Sequence, residues 1–170
     1  MMDINELITR TEYTVLTLPE FEDTLRSVSS DIPHDLLGSM KIKTFAQNLY
    51  QSMMKVEIEP GWMHTGVAAI QVGVPLNIFL AYDGNRDEYI PYINPEVELL
   101  GGRTDDKDEA CLSIPNIVGK VRRTKRVRIK YFDLDGELQR KKLSGWNARV
   151  VQHEFDHLRG ILFTDKLIED

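Results

Sequence analysis

The chain has 170 residues, 42% hydrophobic and 28% charged, with a formal net charge of −6. This is ordinary globular composition, which excludes a disordered chain, a collagen and a disulfide-stapled miniprotein, and the single cysteine, Cys111, excludes an internal disulfide. No apolar run reaches the ~18 residues needed to span a membrane, and the acidic balance argues against a DNA- or RNA-coating protein.

At about 150 residues per domain, the length predicts one domain over 1–170. The N-terminus is acidic and lacks an apolar core segment, so neither a signal peptide nor a transit peptide is expected, and the predicted compartment is a reducing cytoplasm. In chain order, Leu36, Leu37, Met40, Phe45, Leu49 and Met53 fall near one stripe at helical spacing and predict a helix over 34–55. Pro60-Gly61 ends that segment. Residues 78–81 and 90–93 read as buried strands, and 97–99 as another, stopped by Gly101-Gly102. From 121 to 131, Val127, Ile129 and Tyr131 alternate with Arg126, Arg128 and Lys130, the period of a half-buried strand. Asp133-Leu134-Asp135-Gly136 is a hairpin turn with an Asp-Gly pair, returning through a partner strand at 137–143. A last helix is predicted over 144–158, with Ser144 as N-cap and Gly160 as the stop. Helix, several short strands and a closing helix predict an α+β domain.

The chemically informative stretch is Gln152-His153-Glu154-Phe155-Asp156-His157-Leu158. It holds His-Glu-x-x-His, which on a helix sets two imidazoles one turn apart with a glutamate beside them as general base. Trp146, Val150, His153 and His157 share a stripe, so the histidines are expected on an inward apolar face. The bland alternative is two ordinary histidines on an amphipathic helix. A catalytic metal centre ordinarily has three protein ligands and an open position. Cys111, His34, His64 and any of many carboxylates are candidates for the third ligand.

Three motifs together resemble the peptide deformylases. The first reads His64-Thr65-Gly66-Val67-Ala68-Ala69-Ile70-Gln71, the second Glu109-Ala110-Cys111-Leu112-Ser113, and the third runs complete from Gln152 to Leu158. The likeness extends to Ala148-Arg149-Val150-Val151, to Gly160-Ile161-Leu162-Phe163 and to Ser113-Ile114-Pro115 with the basic strand after it, covering about residues 14–168. With the pattern above, the expected fold is mainly antiparallel short strands packed around a central C-terminal metal-binding helix, with an N-terminal helix. The chain departs from the family at His64 and Ala110, where glycines are usual, and at Val67, where leucine is usual. His64 is expected to narrow or polarise the substrate cleft, and Ala110 to matter only if its backbone needs positive φ.

The resemblance implies hydrolysis of the formamide on the N-formylmethionine of newly synthesised polypeptides, releasing formate. It assigns the metal to Cys111, His153 and His157, and the general base to Glu154. Gln71 and the Leu112 backbone N–H are implied as donors to the formyl oxygen. One divalent ion is implied, Fe²⁺ by resemblance, although the donor set also accepts Zn²⁺, Ni²⁺ or Co²⁺. Gly66 is expected to pair with the substrate backbone in strand-addition fashion. Val67, Trp146 and Val150 are candidates for the methionine pocket, though each alone is more often core than pocket. Glu109, and the pair Asp156 and Arg123, are expected to support the ligands.

Two other readings compete. A zinc peptidase usually draws its third ligand from a downstream Glu or His, but only 13 residues follow His157 and none is histidine. A non-catalytic binder of nascent N-termini has no use for Glu154 and Gln71. A ribosome contact is expected to avoid the short acidic tail, with the basic residues at 120–130 as its first candidate.

Overall fold

A computed structural model describes residues 3–169. Its elements in chain order are α1 (Ile4–Ile8), α2 (Glu22–Leu25), α3 (Met40–Met54), β1 (Gly66–Ala68), β2 (Ile78–Asp83), β3 (Glu88–Leu99), β4 (Thr104–Cys111), β5 (Ile114–Thr124), β6 (Arg126–Phe132), β7 (Leu138–Ser144) and α4 (Gly145–His157). Short 3₁₀ turns occupy His34–Leu36, Ala69–Val72 and Phe163–Lys166. The architecture is α+β, as the pattern of elements predicts.

An antiparallel sheet runs in the order β1-β2-β3-β6-β7, and β4 and β5 form a separate two-stranded hairpin. The first sheet is covered on both faces at the β1–β2 end. Ile78 and Leu80 of β2 pack with Val67 of β1 and with Ile42, Phe45 and Leu49 of α3. Their neighbours Phe79 and Ala81 point the other way, onto Ala148, Val150 and Val151 of α4. Alternation of side chains along a strand places successive residues on opposite faces. A strand buried on both faces therefore reads as the unbroken apolar run seen at 78–81. Helix α4 lies centrally, between this sheet and the β4–β5 hairpin.

Three expectations are corrected. The segment 34–55 is not one helix. The chain makes a 3₁₀ turn at His34–Leu36, turns at Gly38, and starts α3 at Met40 with Ser39 as N-cap, its hydroxyl accepting from the Ile42 N–H at 3.4 Å. Gly38 has φ +75°, and a Cβ there would lie 2.7 Å from the Asp135 carbonyl oxygen, so helix cannot continue through it. Met40, expected on the buried stripe, is 73% exposed. Residues 90–93 and 97–99 belong to one strand, β3, whose pairing with β6 shifts between Ile93 and Glu96 around Asn94 at φ +47°. Conversely, the alternating stretch 121–131 is two strands in two sheets, parted at Lys125, whose N–H donates to the Arg103 carbonyl. The hairpin at 133–136 forms as expected, with the Gly136 N–H donating to the Asp133 carbonyl at 3.0 Å and φ +80° at Gly136. Ser144 sits extended at the N-cap of α4, but its hydroxyl makes no capping bond.

Candidate active site

The site forms where the end of β4 meets the middle of α4. His153 and His157, one turn apart on α4, present rings with centroids 5.1 Å apart. Cys111 closes β4 and sets its Sγ 3.3 Å from His157 Nε2. Ligand atoms of Cys111, His153 and His157 lie within 4.8 Å of one another, near enough to share one ion. His34 and His64, the other candidates from the sequence, are not in this group. His34 opens a 3₁₀ turn and meets Phe132 edge-on, centroids 6.0 Å apart.

The surroundings fit a cation. His153 Nδ1 is 2.9 Å from Glu109 Oε2, which turns Nε2 of the ring towards the shared centre. Burial opposes a positive charge on His153, yet the Cys111 thiol and the Glu109 and Glu154 carboxyl groups raise its pKa to about 10. Three groups able to carry negative charge, Cys111, Glu109 and Glu154, thus surround His153. His157 behaves oppositely: burial and the neighbouring His153 and Arg123 hold it well below the ordinary imidazole value, in the neutral form that binds metal.

Glu109 is the hub behind the ligands. Arg123 grips it with two bonds of 2.9 Å, and Arg149 donates to its Oε1 at 2.7 Å. Arg123 also donates to Asp156 at 2.5 Å, and Asp156 accepts from Lys166 near the C-terminus. Arg149 donates further to both the carbonyl and the carboxylate of Asp105. Desolvation opposes the charge on Glu109, but His153 and Arg123 outweigh it and hold the carboxyl far below its ordinary range. The expected support from Glu109, Arg123 and Asp156 is present. Arg149 completes it, a role that the apolar pattern of α4 did not signal.

Glu154 is 2% exposed, and its Oε2 has no hydrogen-bond partner among the described residues. Burial is the main cause that pushes its carboxyl up to about 7, near the value suited to moving protons at neutral pH. Gln71 lies in the 3₁₀ turn after β1. Its Oε1 accepts from the Ala68 N–H at 2.8 Å, while its Nε2 donates to Ser113 Oγ at 3.0 Å and reaches Cys111 Sγ at 3.5 Å. Gly66 on β1 lies against Glu154: a Cβ there would come 2.6 Å from Glu154 Oε1 and 2.7 Å from the Leu80 carbonyl oxygen.

These groups open onto a cleft of about 680 Å³. Gly66, Gln71, Cys111, Leu112, Trp146, Val150, His153 and Glu154 all line it. Val67 does not. It is fully buried beneath α3, because the residue after Gly66 on a strand must face away from the cleft. Trp146 is 42% exposed at the cleft mouth, so the buried stripe of α4 begins only at Val150. His64 does not line the cleft either. Its Nε2 is 2.8 Å from the Val56 carbonyl and its own carbonyl accepts from the Tyr89 hydroxyl, so it ties the base of the 56–63 loop. Ala110 lines the cleft and is absent from the residues with positive φ, so its side chain brings no backbone strain. Sequence reading missed the rim: Trp62 and Met63 before β1, and Ile117 and Val118 on β5. No periodicity marks such residues, which meet only through tertiary folding.

The sequence model of the polypeptide deformylase family matches residues 13–170. The peptide deformylase of Rhodopirellula baltica is 39% identical over 150 residues, covering 86% of this chain and 70% of the relative. That of Thermotoga maritima is 38% identical over 128 residues, covering 74% and 76%. The crystal structure of the Thermotoga maritima enzyme superposes with a TM-score of 0.81 at 29% identity, over 94% of this chain and all of that one. An actinonin-bound class I type b peptide deformylase from Acinetobacter baumannii gives 0.81 at 28% identity, over 94% of this chain and all of its own. With a metal-capable Cys-His-His cluster beside a buried glutamate, this chain belongs to the polypeptide deformylase family, metal-dependent enzymes that remove the N-formyl group from nascent polypeptides.

Proposed function

We propose that Cys111, His153 and His157 hold a single divalent ion, Fe²⁺ in the cell, and that Glu154 moves the protons of the hydrolysis. The observation that carries this is the convergence of three ligand atoms within 4.8 Å beside an unpartnered, buried carboxylate oxygen. A thiolate with two imidazoles suits Fe²⁺ and Zn²⁺, and the anionic surroundings of His153 favour a cation. When bound, the ion supplies Lewis acidity that acidifies water and polarises the formyl carbonyl.

The remaining work falls to the chain itself. Glu154 accepts the proton of the attacking water and returns it to the methionine nitrogen as the C–N bond breaks, so formate and a free amino terminus leave. The Gln71 amide, held by Ala68 and Ser113, and the Leu112 backbone N–H donate to the formyl oxygen as it gains charge. Gly66 keeps the wall beside Glu154 thin enough for an extended peptide backbone. Val150 and Trp146 receive the methionine side chain, the first at the buried wall and the second at the mouth. Formate release from a formyl-Met peptide by Fe²⁺- or Ni²⁺-loaded enzyme, alongside Glu154→Ala, tests the reading. Activity in the variant equal to the parent's overturns the role of Glu154.

The thiol requirement at Cys111 suits a reducing compartment, and we place the enzyme in the cytoplasm; no helix among the described residues is long and apolar enough to cross a membrane. Of the basic segment, Arg122, Arg128 and Lys130 are neutralised by Asp106, Glu98 and Glu96. Lys125 and Arg126, at the junction of β5 and β6, form the face proposed for ribosomal RNA. Charge reversal at Arg126 is expected to lower recovery in a ribosome-pelleting assay, and unchanged recovery refutes that face.

A further inference from the structure

One wall of the cleft is built from loop. Val56, Ile58, Trp62 and Met63, between α3 and β1, all line it. Little packs on this segment. Trp62 and Met63 are 48% and 46% exposed, and a Cβ at Gly61 would have nothing within 4 Å. A bond from the Trp62 N–H to the Glu59 carbonyl closes the tip of the loop on itself.

His64 holds this loop to the sheet. Its half-buried ring sets Nε2 2.8 Å from the carbonyl oxygen of Val56, where the loop begins. A carbonyl only accepts, so Nε2 carries the proton and donates. The backbone of the same residue is fixed from the other side. The His64 carbonyl accepts from the Tyr89 hydroxyl on β3 at 2.6 Å. The Tyr89 ring in turn meets Tyr50 of α3 and Tyr82 of β2, with centroids 5.3 Å away in both cases. The chain then enters the sheet, the Thr65 carbonyl accepting from the Tyr82 N–H at 2.8 Å. The glycine usual in the family at this position has no side chain to make the bond to Val56.

We infer that His64 is a positioning residue for substrate: its ring latches the 56–63 loop into the wall of the cleft before a peptide arrives. The inference rests on the deformylase reading of the cleft and adds to it how one wall is kept ready for peptide. A hydrogen bond across the loop removes conformations in which that wall is displaced. Apparent affinity follows the fraction of molecules whose site is competent to bind. One ordinary hydrogen bond changes the ratio of held to displaced loop roughly two- to tenfold. Glu154, Gln71 and the cluster of Cys111, His153 and His157 lie on other elements. Loss of the latch therefore raises KM and leaves kcat close to its parental value.

The test uses His64→Ala, His64→Asn and His64→Gln in the metal-loaded full chain, with formyl-Met-Ala-Ser as substrate. A glutamine amide nitrogen lies as many bonds from Cβ as histidine Nε2, whereas that of asparagine stops one bond short. The expected result is a KM about two- to tenfold higher in the alanine and asparagine variants, with kcat near the parent's, and a return towards the parental KM in His64→Gln. A parental KM in His64→Ala overturns the inference. So does a fall in kcat shared by all three variants, or a glutamine variant no better than asparagine. A second readout needs no turnover. Trypsin cuts after Lys55, whose side chain is 63% exposed at the start of the loop. Release of the latch is expected to speed this cut in the alanine and asparagine variants and not in His64→Gln. Equal cleavage rates in the parent and all variants overturn the inference. A parent that hydrolyses no formyl peptide refutes the deformylase reading instead, and the trypsin rates then decide the latch by themselves.

Discussion

Gly66→Ala is expected to damage turnover and stability together, and the structure sets the scale of both. An added methyl at Gly66 lies 2.6 Å from Glu154 Oε1, 2.8 Å from Glu154 Cδ and 2.7 Å from the Leu80 carbonyl oxygen. All three are closer than real Cβ contacts, and one is backbone in the middle of β2. Gly66 pairs with Ala81 across that strand boundary, so β1 cannot back away without loosening its ladder. Replacing glycine by alanine where nothing clashes stabilises by about 0.4–1 kcal/mol through the unfolded chain. Overpacking a filled site costs about 1–3 kcal/mol, so the net effect is destabilising. At about 2–4 °C per kcal/mol for a chain of this size, Tm falls by several degrees. The effect on rate is larger, because relief comes most readily from moving Glu154, and a displacement of about 1 Å at a reacting group can cost 10²-fold. Formate release under saturating formyl-Met peptide measures kcat, and a thermal melt of the same metal-loaded sample measures Tm. Gly101→Ala is the control: nothing lies within 4 Å of its Cβ position, and it should leave both values unchanged. A Gly66→Ala enzyme with parental kcat would refute the close approach of β1 to Glu154 and the placement of that carboxylate at the reaction.

Glu154→Ala should retain its metal through dialysis yet lose about 10²–10⁴-fold in kcat, since the residue is assigned proton transfer and not ligation. Cys111→Ser should lose metal on dialysis, read by elemental analysis, because a hydroxyl replaces the thiolate poorly; full occupancy would remove Cys111 from the centre. Glu109→Gln leaves Arg123 and Arg149 buried beside a neutral group and frees His153 Nδ1 from its partner. Breaking a buried pair costs about 3–5 kcal/mol, and the bonds that the two arginines keep to Asp156 and Asp105 put the loss near the lower end. The melt should therefore drop by about 6–12 °C, and metal should leave faster; an unchanged melt would show that Glu109 is not the hub of this network.

The chemistry was legible in the chain order because it is local. His153, Glu154 and His157 owe their shared placement to the 3.6-residue period of α4, which any reader of a helix can apply. The Asp-Gly hairpin at 135–136 and the apolar run 78–81 likewise carry their structure in neighbouring residues. Periodicity alone left the third ligand open among Cys111, His34, His64 and the carboxylates. Only the packing of the β4 terminus on α4 brings the Cys111 thiol to 3.3 Å from a histidine 46 positions away. Periodicity also misled where one pattern has two outcomes. Alternation over 121–131 is the same whether the residues form one strand or two, and the split at Lys125 depends on which sheet each half can pair with. The face of Val67 was decided by its register beside Gly66, and the exposure of Trp146 by where α4 emerges from the core. The rim residues Trp62, Met63, Ile117 and Val118 had no reading at all along the chain. They became neighbours of the reaction because a loop and a hairpin from distant segments close over one end of the sheet, and such long-range closure leaves no local period to read.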